Sequence, residues 1–166
     1  MNTNDKTKVP ARAVSGKPVA LVAAQWHRSV VDRLIEGARQ TLLKAGLPSD
    51  GIELHWVPGS FELPQAVSAL AKTGKYQAII PIGCIVRGET AHFDFIAQSV
   101  FTGLDQVGRE TGVAVSLAVL TVETLEQAIE RAGGKCGNKG EEAADAALDL
   151  ARLLMEARNG KPVARA

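Results

Sequence analysis

The chain has 166 residues, and 19 Lys and Arg against 18 Asp and Glu leave a formal net charge of +1. That is the length of one domain with room for a substantial core, and 46% hydrophobic with 22% charged residues argues against global disorder. The near-neutral balance, with no basic block, argues against a protein built mainly to grip nucleic acid. No apolar run approaches the roughly 18 residues of a membrane-spanning helix.

Residues 1–16 (MNTNDKTKVPARAVSG) lack the apolar stretch of a secretory signal and read as a mobile tail. Residues 18–24 (PVALVAA) form a short continuous apolar run, the pattern of a strand covered on both faces. Val30, Val31, Leu34, Ile35, Ala38 and Leu42 then recur at helical spacing, with Gly46 as the stop. Residues 52–57 (IELHWV) predict a second strand, and a helix opens at Pro64, where proline is tolerated in the first turn. Residues 76–83 (YQAIIPIG) predict a third strand, although Pro81 cannot donate to a ladder. Phe93, Ile96, Ala97, Val100, Leu104 and Val107 make the stripe of a third helix, and residues 113–120 (VAVSLAVL) a fourth strand. Thr124 and Gln127 have capping-box spacing for a short helix ending at Gly133. Asn138 can cap a last helix that buries Ala143, Ala144, Ala147, Leu148, Ala151, Leu154 and Met155.

Strands alternating with helices predict right-handed crossovers and a three-layer α/β/α sandwich around a four-stranded parallel sheet. One domain spans residues 17–158, and residues 159–166 read as a second tail. Cys84 and Cys136 have no zinc spacing and read as reduced thiols of a cytoplasmic protein.

In such a sheet, ligands bind beyond the carboxyl ends of the strands. The richest of those segments is residues 83–92, which carries Gly88, Thr90 and His92. It is neither a Walker A sequence nor a dinucleotide fingerprint. Its helix start can hold an oxyanion or phosphate, or it can be an ordinary capped turn. His92 in the first helical turn suits proton transfer; a surface histidine would look the same. His27 and His55 read more readily as structural. Trp26 and Phe61 follow neighbouring strands and can either line an aromatic slot or plug the core. Arg131, Lys135 and Lys139 surround a glycine-rich stretch where an arginine fork could take phosphate, although Arg131 also complements its helix dipole. Glu142 is a carboxylate partner for Arg131 or His92, or simply a first-turn acid.

Three segments match one family in one order: residues 57–64 (VPGSFELP), 83–95 (GCIVRGETAHFDF) and 125–140 (LEQAIERAGGKCGNKG). The chain resembles the 6,7-dimethyl-8-ribityllumazine synthases over roughly residues 18–155. The resemblance implies a flavodoxin-like fold and a transferase of riboflavin biosynthesis. The implied reaction condenses 5-amino-6-(D-ribitylamino)uracil with 3,4-dihydroxy-2-butanone 4-phosphate, releasing phosphate and water, and needs no metal or organic cofactor. By the family pattern His92 matches the proton-transfer residue. Trp26, Ser60, Phe61, Glu62, Cys84, Ile85, Val86 and Leu117 match positions that bind the ribitylaminouracil. Glu89, Thr90, Arg131 and Lys139 match positions that bind the phosphate substrate.

Three residues depart from the pattern. Trp26 stands where phenylalanine is frequent, Leu117 where an aromatic ring often sits, and Glu89 where a small residue is common. An acid beside phosphate repels it, so the contact of Glu89 is assigned to its backbone amide. The resemblance further implies a homopentamer with active sites between subunits, Leu117, Arg131 and Lys139 from one and Trp26, Phe61 and His92 from the next, and in some members a shell of twelve pentamers. Two other readings stay open: a flavin- or lumazine-binding relative that has lost turnover, and a shell subunit with a mainly structural role.

Overall fold

The computed structural model describes residues 16–160. The tails expected at 1–16 and 159–166 fall almost wholly outside these residues. The elements in chain order are β1 (Val19–Ala24), α1 (Arg28–Lys44), β2 (Ile52–Val57), α2 (Leu63–Lys72), β3 (Ala78–Val86) and α3 (His92–Thr111). They continue with β4 (Ala114–Val115), β5 (Ala118–Val122), α4 (Leu125–Arg131), β6 (Ala132–Gly134), β7 (Gly137–Asn138) and α5 (Lys139–Arg158).

The main sheet has the order β2-β1-β3-β4, with β5 also pairing β3, and every one of these pairs is parallel. This is the predicted parallel sheet and a flavodoxin-like three-layer sandwich. Alternation along β1 divides the core. Val19, Leu21 and Ala23 face α1, α4 and α5, where they meet Val30, Leu34, Ala128, Ala144 and Leu148. Ala20, Val22 and Ala24 face α2 and α3, where they meet Leu63, Val67, Val100 and Leu104. All six β1 residues are buried, which explains why β1 reads as a continuous apolar run.

The predicted fourth strand is split in two, and Pro81 accounts for the split. Ser116 donates its amide to the Ile79 carbonyl at 3.2 Å, so Ile79 turns its backbone groups toward β4 and β5. Residues i and i+2 of a strand point the same way, so the Pro81 nitrogen faces that side too. It has no hydrogen to donate. The ladder therefore lapses opposite Ser116 and Leu117 and resumes at Ala118, which pairs Ile82. Proline is accommodated in a central strand because its missing bond falls in that gap.

Helices α1 and α5 approach closely at Gly140, where a Cβ would lie 2.0 Å from the Leu34 carbonyl oxygen. Asn138 secures the same corner. Its Oδ1 accepts from the Gly140 amide at 2.8 Å, and its Nδ2 donates to the Arg33 carbonyl at 3.0 Å. The expected cap of α5 is thus present, while Leu154 and Met155 are only half-buried. Thr124 caps α4 by accepting from the Gln127 amide at 3.3 Å, but the Gln127 side chain returns to the Glu123 amide rather than to Thr124. The glycine-rich stretch after α4 forms the antiparallel pair β6–β7, which the sequence reading did not anticipate.

Candidate active site

A cavity of about 440 Å³ opens beyond the carboxyl ends of β1, β2 and β3. It lies beside the junction of β1 and β3, where the strand order reverses, the usual ligand position in an open parallel sheet. Each wall comes from a different turn.

The turn after β1 supplies Trp26 and His27. Trp26 is 70% exposed, so its ring face is available to a ligand. His27 has φ 55°, the single left-handed non-glycine residue among those described. That conformation costs a β-carbon residue on the order of 1–2 kcal/mol. It lets the His27 carbonyl accept from Val30 and Val31 (2.9 and 3.1 Å), which starts α1 immediately after Trp26.

The turn after β2 supplies Gly59, Ser60, Phe61 and Glu62. Phe61 is 56% exposed. Glu62 folds back to accept from the Gly59 amide at 2.9 Å, so one carboxylate oxygen clasps its own turn and the other is left for a ligand. Ser60 is 8% exposed, and its Oγ has no hydrogen-bond partner among the described residues. It packs into the notch at Gly83, where a Cβ would come within 2.7 Å of Oγ.

Cys84, Ile85 and Val86 form the third wall. The sequence reading placed them in a loop, but they are the last three residues of β3. Gly83 marks a close approach inside the strand rather than its end. Burial pushes the Cys84 thiol up to about 11, so it stays protonated at neutral pH.

The segment before α3 adds Gly88 and Thr90, and the helix itself adds His92, Phe93 and Ile96. His92 is exposed, and its amide donates to Thr90 Oγ1 at 3.4 Å. Gly88 avoids left-handed φ, and a Cβ there would meet open space, so the turn itself does not require glycine.

Four candidates lie elsewhere. Glu89 is exposed and does not line the cavity. Leu117 sits at the strand break, 40% exposed. Arg131 donates to the Gln127 carbonyl at 3.1 Å at the end of α4. Lys139 pairs with Glu142 at 2.7 Å, so the partner of Glu142 is neither Arg131 nor His92. The layer holding α4 and α5 lies across the sheet from α3.

The cavity joins two exposed aromatic faces, an unpaired hydroxyl, a carboxylate and two imidazoles, with no Lys or Arg among the described residues of its lining. Among the described residues no group of three His, Cys, Asp or Glu side chains could hold a metal ion, and no helix is long and apolar enough to cross a membrane. The 6,7-dimethyl-8-ribityllumazine synthase family matches residues 16–155. The chain belongs to that family. It is therefore a transferase of riboflavin biosynthesis.

Sequence reasoning passed over several lining residues. His27 was read as structural, but a side chain directly after Trp26 shares its strand end. Phe93 and Ile96 appeared only as core positions of α3, yet the first turn of a helix that begins at the sheet rim overhangs the cavity.

Proposed function

We propose that the chain makes 6,7-dimethyl-8-ribityllumazine from 5-amino-6-(D-ribitylamino)uracil and 3,4-dihydroxy-2-butanone 4-phosphate, with release of phosphate and water. The observation that carries this reading is the pairing of an aromatic-faced cavity with His92 at the start of α3. The pyrimidine ring lies against Trp26, with the backbone at the end of β3 beside its polar edge and the ribityl chain toward Phe61, Ser60 Oγ and the free oxygen of Glu62. His92 takes and returns protons as the amine adds to the ketone, water leaves, phosphate is eliminated and the ring closes. The Thr90 hydroxyl and the backbone amide of Glu89 meet the phosphate.

A phosphate bearing nearly two negative charges is costly to desolvate without a cation. Among the described residues the lining holds none. We read Arg131 and Lys139 as serving the cavity of a neighbouring subunit, together with Leu117. A ring of identical subunits, head to tail, supplies one such junction per subunit. Phe95 at 70% exposure and Leu117, Leu125 and Ile129 near 40% offer apolar surface for that contact. With the family resemblance this ring is a homopentamer of the cytoplasm, and static light scattering separates a lone pentamer from a sixty-subunit shell.

The test is to mix purified protein with both substrates and follow lumazine fluorescence against a protein-free control. Acceleration is expected. No acceleration, with tight binding of lumazine or riboflavin, would instead support the binding-protein reading, which the exposed Trp26 face favours.

A further inference from the structure

We propose that Arg87 is a positioning residue: it ties the first turn of α3, and with it His92, to the carboxyl end of β5. The inference rests on the synthase reading for its catalytic consequence, but the tie itself is geometric.

The start of α3 lacks an ordinary anchor. Ala91 at its N-cap makes no side-chain cap, and the Thr90 contact to the His92 amide is long at 3.4 Å. Arg87 replaces the cap from outside. Its amide continues the ladder by donating to the Val122 carbonyl at 2.9 Å, which fixes the base of the side chain. Nη1 and Nη2 then donate to both oxygens of Asp94, at 3.0 and 2.8 Å. Nε reaches Glu123 Oε2 at 2.7 Å. The guanidinium carbon lies 4.2 Å from the centre of the Phe93 ring. Two edges and one face of the guanidinium are thereby used.

Isolated surface ion pairs contribute little, but bidentate and networked ones are the exception. This network is also placed where it matters. Arg87 and Asp94 bracket residues 88–93, so the fork closes the segment that carries Gly88, Thr90 and His92 into the cavity. Phe93 and Asp94 directly follow His92 on its own helical turn. Arg87 itself does not line the cavity, so it acts through His92 rather than on substrate. Its hydrogen bonds hold the Asp94 carboxyl below its ordinary range, in keeping with a persistent pair. Lysine cannot reproduce the fork, because its ammonium is a point donor.

The test compares the full-length assembled protein with Arg87→Met, Arg87→Lys and Asp94→Asn. Asp94→Asn weakens the fork while keeping side-chain shape, so the test survives if Arg87→Met folds poorly. Displacement of a catalytic group by about 1 Å costs on the order of a hundredfold. The expected result is a ten- to hundredfold fall in kcat for Arg87→Met, with an unchanged dissociation constant for added 6,7-dimethyl-8-ribityllumazine. Asp94→Asn should fall in the same direction, and Arg87→Lys should recover only part of the loss. Hydrogen–deuterium exchange should quicken in peptides covering residues 88–96 and nowhere else. Unchanged kcat and unchanged exchange would overturn the proposal, as would parallel loss of kcat, product affinity and global stability. A wild-type protein that makes no lumazine, while the variants still loosen residues 88–96 alone, would sink the synthase reading and leave the tie standing.

Discussion

Ser60→Ala separates stability from binding, because the two should move in opposite directions. Ser60 is 8% exposed and its Oγ is unpaired. A buried hydroxyl left without a partner costs about 1–3 kcal/mol. Alanine removes the oxygen and keeps the Cβ, so the unliganded protein should gain about 1 kcal/mol. For a domain of this size that raises Tm by about 2–4 °C. If the ribityl chain is the missing partner, the same change removes a hydrogen bond worth about 0.5–1.5 kcal/mol from the complex. The dissociation constant for the ribitylaminouracil should then rise about two- to twelvefold. Thermal unfolding with and without that ligand, together with calorimetric titration, reads both quantities. Gly83→Ala provides the control, because its new Cβ would sit 2.7 Å from Ser60 Oγ but 3.3 Å from Leu63 and 3.6 Å from Ser60 Cβ. The double variant should be less destabilised than Gly83→Ala alone. A less stable Ser60→Ala with unchanged affinity would refute the reasoning, since the hydroxyl would then already be satisfied in the working protein.

Other expectations concern single groups. His92→Ala should lower kcat about a hundredfold, the usual scale for a lost proton-transfer group, and leave ring affinity intact; steady-state fluorescence with calorimetry checks both, and unchanged turnover would remove His92 from its role. Arg131→Ala should raise KM for the butanone phosphate about tenfold or more, as for a lost charged hydrogen bond, with ribitylaminouracil affinity kept; equal weakening of both substrates would contradict a phosphate role. Cys84, whose thiol is held at about 11 rather than 9.0, keeps its proton in the folded state at a pH where the unfolded chain has lost it. Its contribution to stability is therefore present below pH 9 and declines as pH rises from there toward 11. Native protein at pH 9 should resist alkylation at Cys84 while unfolded protein does not, and mass spectrometry of the Cys84 peptide would expose equal rates.

Much of this was legible in the sequence because the signals are local. β1 and β2 were readable almost to the residue from apolar runs, and α1 from its stripe and stop. β3 was read as residues 76–83 but runs to Val86. Gly83 admits Ser60, a contact made by a residue 23 positions earlier that no window of sequence displays. The break at Ser116 and Leu117 arises from Pro81 on the neighbouring strand, so no local propensity announces it. The cavity walls after β1, β2 and β3 followed from the rule about strand ends. The resemblance assigns Arg131 and Lys139 to one subunit and His92 to the next, and no window of sequence displays that the two groups lie in opposite layers of this chain. Arg87 escaped notice for another reason: its partners are Asp94, seven residues on, and Glu123, just beyond the end of β5, and no local pattern links them.

The separation of His92 from Arg131 leads to a prediction that kinetics on single variants cannot make. In this chain His92 belongs to the α3 layer and Arg131 to the opposite one, and among the described residues no Lys or Arg lines the cavity beside His92. If the head-to-tail reading is correct, each site takes its histidine from one subunit and its arginine from the next. His92→Ala and Arg131→Ala are then defects in two different halves. Co-expressed at equal levels in mixed rings, they should assort at random, and about one junction in four should receive both intact halves. Turnover should therefore recover to about a quarter of wild type, well above either variant alone, and should follow the product of the two subunit fractions as their ratio is varied. A site contained in one chain behaves differently, because every subunit then carries one defect and mixing rescues nothing. Activity equal to the average of the two single variants at every ratio would return Arg131 to its own subunit and end the case for a shared site.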